Sequence, residues 1–177
     1  MILLHLQDNE YPKREITHRR DVARAIVVFS GNLVPIHTVH RDDQFGNQTY
    51  LETPGGGVDE GETFEEAVVR ECEEEIGYRV EPIACIGEVN DAYHLIGRAN
   101  RNRYYLCRPV AKVKKHFESA GDNYIVMTRL LPIEEAIASF EAQDDHGVAG
   151  LVKRRELPIL WEAKRLLEEN GDGKANK

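Results

Sequence analysis

The sequence is poor in cysteine. Three of its 177 residues are Cys (Cys72, Cys85 and Cys107), with no C-x-x-C spacing among them. An odd count without paired spacing argues against a disulfide framework and against a cysteine-ligated zinc. No apolar run approaches the ~20 residues that span a bilayer, and Ile2-Leu3-Leu4 ahead of His5 is too short for the apolar core of a secretory signal. Positive charge is in deficit, with 23 Lys and Arg against 31 Asp and Glu, for a net charge of −8. A protein that tracks an extended nucleic acid carries a basic surplus, so no such partner is expected. A small phosphorylated ligand remains compatible, because a cation can bridge acids to phosphate. These absences lead us to expect a cytoplasmic protein that makes no membrane contact. At this length one domain is expected, over residues 1–169, with an unstructured tail over 170–177.

What is present reads as alternating strands and helices. Apolar runs over 22–29 and 33–39 flank Ser30-Gly31-Asn32, a hairpin signal. A polar loop is expected over 41–47 and a short strand over 50–53, ending at Pro54-Gly55-Gly56-Gly57. A helix is predicted over 64–76. Strands are predicted over 83–89, 104–114 and 124–131, with a loop over 91–102. A helix opens at Pro132, which suits a first helical turn. A last amphipathic helix is expected over 157–169, with Trp161 as a core anchor. One mixed sheet covered by helices is the simplest layering for this order.

The helix after the glycines carries the chemistry. Between Asp59 and Glu75 the chain places nine carboxylates, with Arg70 as the one base. Thr63 and Glu66 form a capping box, and Gly77 supplies a left-handed stop. On a helical wheel of about 100° per residue, Phe64, Val68, Cys72, Ile76 and Val69 form the core stripe. Glu66 and Glu73 fall opposite it. Glu71, Glu74 and Glu75 instead flank the stripe, at roughly 340°, 280° and 20° from Phe64. Three carboxylates at the edge of a buried face repel one another, and one guanidinium cannot neutralise them. A hard divalent cation can, with Mg²⁺ the usual choice where phosphates supply further ligands.

The string from Gly56 to Tyr78 resembles the signature of the Nudix hydrolase family, Gly-x5-Glu-x7-Arg-Glu-hydrophobic-x-Glu-Glu-x-Gly-hydrophobic. Gly56, Glu62, Arg70, Glu71, Glu74, Glu75 and Gly77 stand at its seven fixed positions. Cys72 and Tyr78 stand where aliphatic residues are usual. The resemblance implies an α/β (α+β) fold, an α/β/α sandwich around a mixed β-sheet. It also implies hydrolysis of a nucleoside diphosphate linked to another group, such as a nucleoside triphosphate, a dinucleoside polyphosphate or a nucleotide sugar. By the same resemblance Glu71, Glu74, Glu75 and the Gly55 carbonyl would ligate Mg²⁺ or Mn²⁺. Arg70 would orient the carboxylates and Glu62 would sit behind the metal ligands. The proton acceptor is left between Glu71 and a downstream acid, Glu118 or Asp122.

For the substrate, Arg98, Arg101 and Arg103 form a basic cluster suited to terminal phosphates, and Tyr93 stands where it could stack a base. His37 and His40 lie at i and i+3 on a strand, hence on opposite faces, so a shared metal is not expected. Neither the signature of coenzyme A-cleaving relatives nor the downstream Pro of ADP-ribose-cleaving ones is found. Two other readings stay open: a catalytically silent nucleotide sensor, and an isoprenyl-diphosphate isomerase, which would need a cysteine in the site. A homodimer through the amino-terminal strands and last helix is compatible with the pattern. The helix geometry predicts that Glu74→Gln abolishes metal-dependent turnover while the far-ultraviolet circular dichroism stays that of the parent.

Overall fold

A computed structural model of the chain describes residues 1–115 and 124–172. The elements run β1 (Ile2–Gln7), β2 (His18–Val27), β3 (Leu33–Asp43), β4 (Gly46–Glu52), β5 (Gly55–Gly57), α1 (Phe64–Ile76) and β6 (Tyr78–Tyr93). A 3₁₀ turn (His94–Ile96), β7 (Arg98–Lys112), β8 (Ile125–Pro132), α2 (Ile133–Glu141) and α3 (Gly147–Asp172) complete the described chain. The strands form two sheets rather than the single one expected. The larger is mixed, in the order β1-β6-β7-β2-β5, and the smaller is β4-β3-β8. Among the described residues no helix is long and apolar enough to cross a membrane.

Strand alternation gives the larger sheet two faces with different work. On one, Ala23, Ala25 and Val27 of β2 with Tyr105 and Cys107 of β7 pack under α1, against Phe64, Ala67, Val68 and Cys72. On the other, Ile26, Val89, Tyr104 and Leu106 meet the smaller sheet, α2 and α3 through Val34, Ile36, Ile137, Phe140, Leu151 and Leu160. Each large apolar side chain buried this way contributes about 1.5–3 kcal/mol. The layers are therefore helix, sheet, then smaller sheet with helices, the sandwich expected.

Residues 91–102 are not the predicted loop. β6 and β7 continue through most of them as a ladder that pairs Asp91 with Asn100 and Tyr93 with Arg98. The segment reads as polar because its inward residues bond one another: Asn100 Nδ2 donates to Asp91 Oδ1 at 2.8 Å, and Asn102 Nδ2 to the Val89 carbonyl at 3.0 Å. Likewise the polar stretch over 41–47 is the end of β3 and the start of β4, joined at a tight turn.

α3 begins ten residues before the predicted position and carries Pro158 inside it. An interior proline costs a helix about 3 kcal/mol, and what lies on either side outweighs that. Leu151, Val152, Ile159, Leu160 and Ala163 are buried. Arg155, also buried, reaches Asp91 of β6 at 3.0 Å and Glu52 of β4 at 2.7 Å. Its neighbour Glu156 accepts from Thr53 Oγ1 at 2.6 Å and from the Tyr104 hydroxyl at 2.9 Å. Arg24 of β2 joins the same network, 2.5 Å from Glu52. Trp161 is not the core anchor expected. It is 48% exposed, because the helix phase is set by Leu160 and Arg155 rather than by the indole.

Burial alone would raise the Glu52 pKa, but Arg24 and Arg155 outweigh it and hold the carboxyl at about 2. A depressed folded-state pKa means stability that is present above the ordinary value near 4.5 and lost as pH falls through about 2. The melting temperature should therefore drop between pH 4.5 and 2, and the Glu52→Gln variant should show a shallower drop over that window.

Candidate functional site

α1 is built to stand at a fixed angle over β5. The Thr63 hydroxyl accepts from the Glu66 amide while the Glu66 carboxylate accepts from the Thr63 amide, and Gly77 closes the helix at φ 71°. A cap of this kind stabilises a helix by about 1 kcal/mol. Held in this phase, Glu71, Glu74 and Glu75 are buried, at 3%, 2% and 5% exposure. Glu66 is exposed and Glu73 partly so, as the wheel has it. Carboxylates come this close to the main chain because β5 has no side chains. A Cβ on Gly56 would overlap the Glu71 carboxylate, and Gly55, at φ +141°, would drive one into the Ala23 carbonyl.

One guanidinium serves most of this charge. Arg70 donates through Nε and Nη2 to Glu62 at 2.9 Å, through Nη1 to Glu71 at 2.8 Å, and through Nη2 to the Gly57 carbonyl at 2.8 Å. Nη1 also lies 3.4 Å from Glu74. This does not balance the set. Burial, and then the charge of Glu75, push the Glu71 carboxyl up to about 7 against the pull of Arg70. Among the described residues no three His, Cys, Asp or Glu side chains are drawn into a ready-made metal cage. Mg²⁺ asks for less than that, since it retains water and takes phosphate oxygens beside one or two carboxylates. An acid-only, oxygen-donor set with excess negative charge fits such an ion.

Glu75 is held from behind. Its Oε2 accepts from the Gly55 amide at 2.8 Å and lies 3.2 Å from His37 Nε2, whose Nδ1 is 2.8 Å from the Thr128 hydroxyl. Thus β3 and β8 of the smaller sheet orient a carboxylate on α1. His37 is buried and His40 exposed, on opposite faces as expected. No sequence pattern linked His37 to Glu75, which lie 38 positions apart.

The carboxylates line one wall of a cleft of about 420 Å³, a volume suited to a nucleotide-sized ligand. Its other walls carry Arg20 and Arg24 of β2, Arg41 and Phe45 of the β3–β4 hairpin, Arg98 of β7 and Arg155 of α3. The structure divides the predicted basic cluster. Arg98 faces the cleft with its guanidinium 5.4 Å from the centre of the Tyr93 ring. Arg101 and Arg103 alternate to the α1 face, over the Phe64 ring, and pair with Asp21 at 2.6 Å and Glu88 at 3.1 Å. Tyr93 lines the cleft but is 5% exposed, packed edge-on against Phe45 with centroids 5.9 Å apart. Among the described residues no cysteine lines the cleft, and Cys72 and Cys107 are buried with thiols pushed up by desolvation. Nothing here suits the isomerase chemistry. Glu118 and Asp122 lie outside the described residues.

His37→Leu removes the side chain that, among the described residues, orients Glu75, a loss that typically costs 10–100-fold in metal affinity. Calorimetric titration with Mn²⁺ should show a weakening of about that size, with the circular dichroism spectrum unchanged.

A family model for the NUDIX domain matches residues 19–152. Among solved structures the chain is similar to a NUDIX hydrolase from Nitrosomonas europaea, at 18% identity and TM-score 0.56, over 68% of this chain and 77% of that one. It is similar to the MutT protein from Methanosarcina mazei Go1, at 18% identity and TM-score 0.57, over 86% and 96% of the two chains. A structure described as an ADP compounds hydrolase superposes at TM-score 0.62, with 12% identity and 86% and 75% coverage. Identities this low show a shared fold, whereas the family model spans most of the chain and includes α1 with its carboxylates. The chain belongs to the NUDIX family.

Proposed function

We propose that the protein is a Mg²⁺-dependent hydrolase that cleaves a phosphoanhydride bond in a nucleoside diphosphate joined to a further group. One observation carries this reading: three buried carboxylates, two of them bonded to one guanidinium, stand on the wall of a cleft whose remaining walls carry five arginines. An acidic wall facing basic ones suits a cation on one side and phosphate oxygens between. The name of the ADP compounds hydrolase among its structural neighbours agrees with this class of substrate.

A bound Mg²⁺ supplies neutralisation of diphosphate oxygens and activation of the attacking water. Glu71, Glu74 and Glu75 would hold it, with the Gly55 carbonyl as a further ligand. Arg70, braced by Glu62, keeps Glu71 and Glu74 from turning away from the cleft. His37 and the Gly55 amide do the same for Glu75. Glu71, seated against Gly56, is the acid among the described residues placed to accept a proton, with Glu118 or Asp122 as the downstream candidates. The cleft has the volume for a small nucleotide, which we take as the protein's ligand in place of any extended nucleic acid.

The test is phosphate release from nucleoside triphosphates, dinucleoside polyphosphates, ADP-ribose and nucleotide sugars, with and without Mg²⁺. A coupled phosphatase separates monoester from pyrophosphate products. Turnover of at least one class that EDTA abolishes is expected, with a fall of 100-fold or more in Glu74→Gln, roughly the loss of one strong electrostatic contact. Full turnover in EDTA would overturn the metal role.

A further inference from the structure

The carboxylates that line the cleft are already engaged. Glu52 is held by Arg24 and Arg155, Asp59 lies 3.8 Å from Arg70, and Asp43 accepts from the Phe45 amide at 2.9 Å. Arg20 and Arg98 are different. Both line the cleft, and neither has an ion pair or hydrogen bond among the described residues. The Arg98 Nε is buried without a hydrogen-bond partner, as are those of Arg24 and Arg41 in the same cleft. Unpaired buried donors are uncommon because each forfeits its hydration.

Topology brings the two together. β2 and β7 run parallel with His18 beside Arg98 and Arg20 beside Asn100, so Arg20 and Arg98 are diagonal neighbours on the cleft face. Long side chains reach each other across that diagonal. Crowding of the Arg20 guanidinium, and then the like charges of Arg98 and Arg24, pull its pKa below the ordinary value. Two cations side by side at the cleft attract an anion between them.

The pair has a definite position relative to the acids. The Arg20 guanidinium lies across Gly57, where a Cβ would come within 2.6 Å of Nη2. The next residue back, Gly56, seats the Glu71 carboxylate. Arg20 and the acidic wall therefore meet β5 at neighbouring positions, and both line the cleft. Arg98 continues the row away from the acids, toward Tyr93. A guanidinium fork matches phosphate oxygens two at a time, and two forks match a dianionic phosphoryl group better than a single carboxylate.

We propose that Arg20 and Arg98 form an anion subsite for a third phosphoryl group, making the preferred substrate a nucleoside triphosphate or a longer polyphosphate chain rather than a nucleotide sugar. The proposal rests on the hydrolase reading for its catalytic consequence, but not for binding.

Two experiments on the full chain separate them. The first is calorimetric binding of inorganic tripolyphosphate and pyrophosphate in EDTA, for the parent, Arg20→Met, Arg98→Met and the double variant. Tripolyphosphate should bind the parent about tenfold more tightly than pyrophosphate, and the double variant should lose that preference, as expected for charge-assisted hydrogen bonds. The second is kcat/KM with Mg²⁺ for ATP, diadenosine tetraphosphate and ADP-ribose. Each variant should lose about tenfold more on the polyphosphates than on ADP-ribose, through KM, with melting temperatures close to the parent's. Comparing ATP with diadenosine tetraphosphate tells which source of the third phosphate is used. Equal losses on all three substrates, or no loss on any, would overturn the subsite. So would a parent that turns over ADP-ribose alone, although the hydrolase reading would stand. Arginine-dependent tripolyphosphate binding without turnover of any substrate would uphold the subsite and overturn the hydrolase reading.

Discussion

A guanidinium buried between two sheets must find carboxylates, and much of this structure follows from where Arg155 finds them. Its partners come from β4, β6 and its own helix, and through Glu52 it shares a carboxylate with Arg24 of β2. Removing one member of such a cluster strands the others, at a typical cost of about 3–5 kcal/mol. The cluster fixes the rotation of α3 and carries the helix through a proline. It also forms part of the cleft floor, so the polar interior of the sandwich and the ligand cavity are one region. That is a reason for the depth of the cleft: its base is charged and tied together by ion pairs.

The acidic and basic walls depend on different kinds of order. The acidic wall is local. Thr63, Gly77 and the helical period place three carboxylates on one arc, and Arg70 binds to Glu62 eight residues earlier in the chain. The basic wall is assembled from β2, the β3–β4 hairpin, β7 and α3, elements up to 135 positions apart in the chain. Catalytic metal chemistry of the kind proposed needs the first wall rigid. Its carboxylates are held by different bonds: Glu71 by Arg70, and Glu75 by the Gly55 amide and His37.

The same distinction explains what could be read beforehand. The α1 wheel, the capping box and the seven signature positions are short-range patterns, and the structure reproduces the helix bounds and the burial of Glu71, Glu74 and Glu75. The layers follow from them together with the strand order. Residues 91–102 were illegible because inward polar residues that bond each other across a ladder look like loop. Arg20, Arg24 and His37 were illegible because their meaning lies in register: three strands and two sheets must be assembled before His37 meets Glu75 or Arg20 meets Arg98. Arg101 and Arg103 misled for the converse reason, since adjacency in sequence became opposite faces on a strand.

The three glycines of β5 have one more consequence. Glu71 and Arg20 rest against neighbouring glycines of a bare main chain, so neither could keep its place if Gly56 or Gly57 carried a side chain. Substitution along that edge can only jam the site, never tune it. A descendant of this protein that acquires a new ligand would therefore keep β5 unchanged and alter the far rim: the hairpin tip around Phe45 and the inward positions of β7. The protein is built like a vice with one fixed jaw, and its capacity for divergence resides in the other.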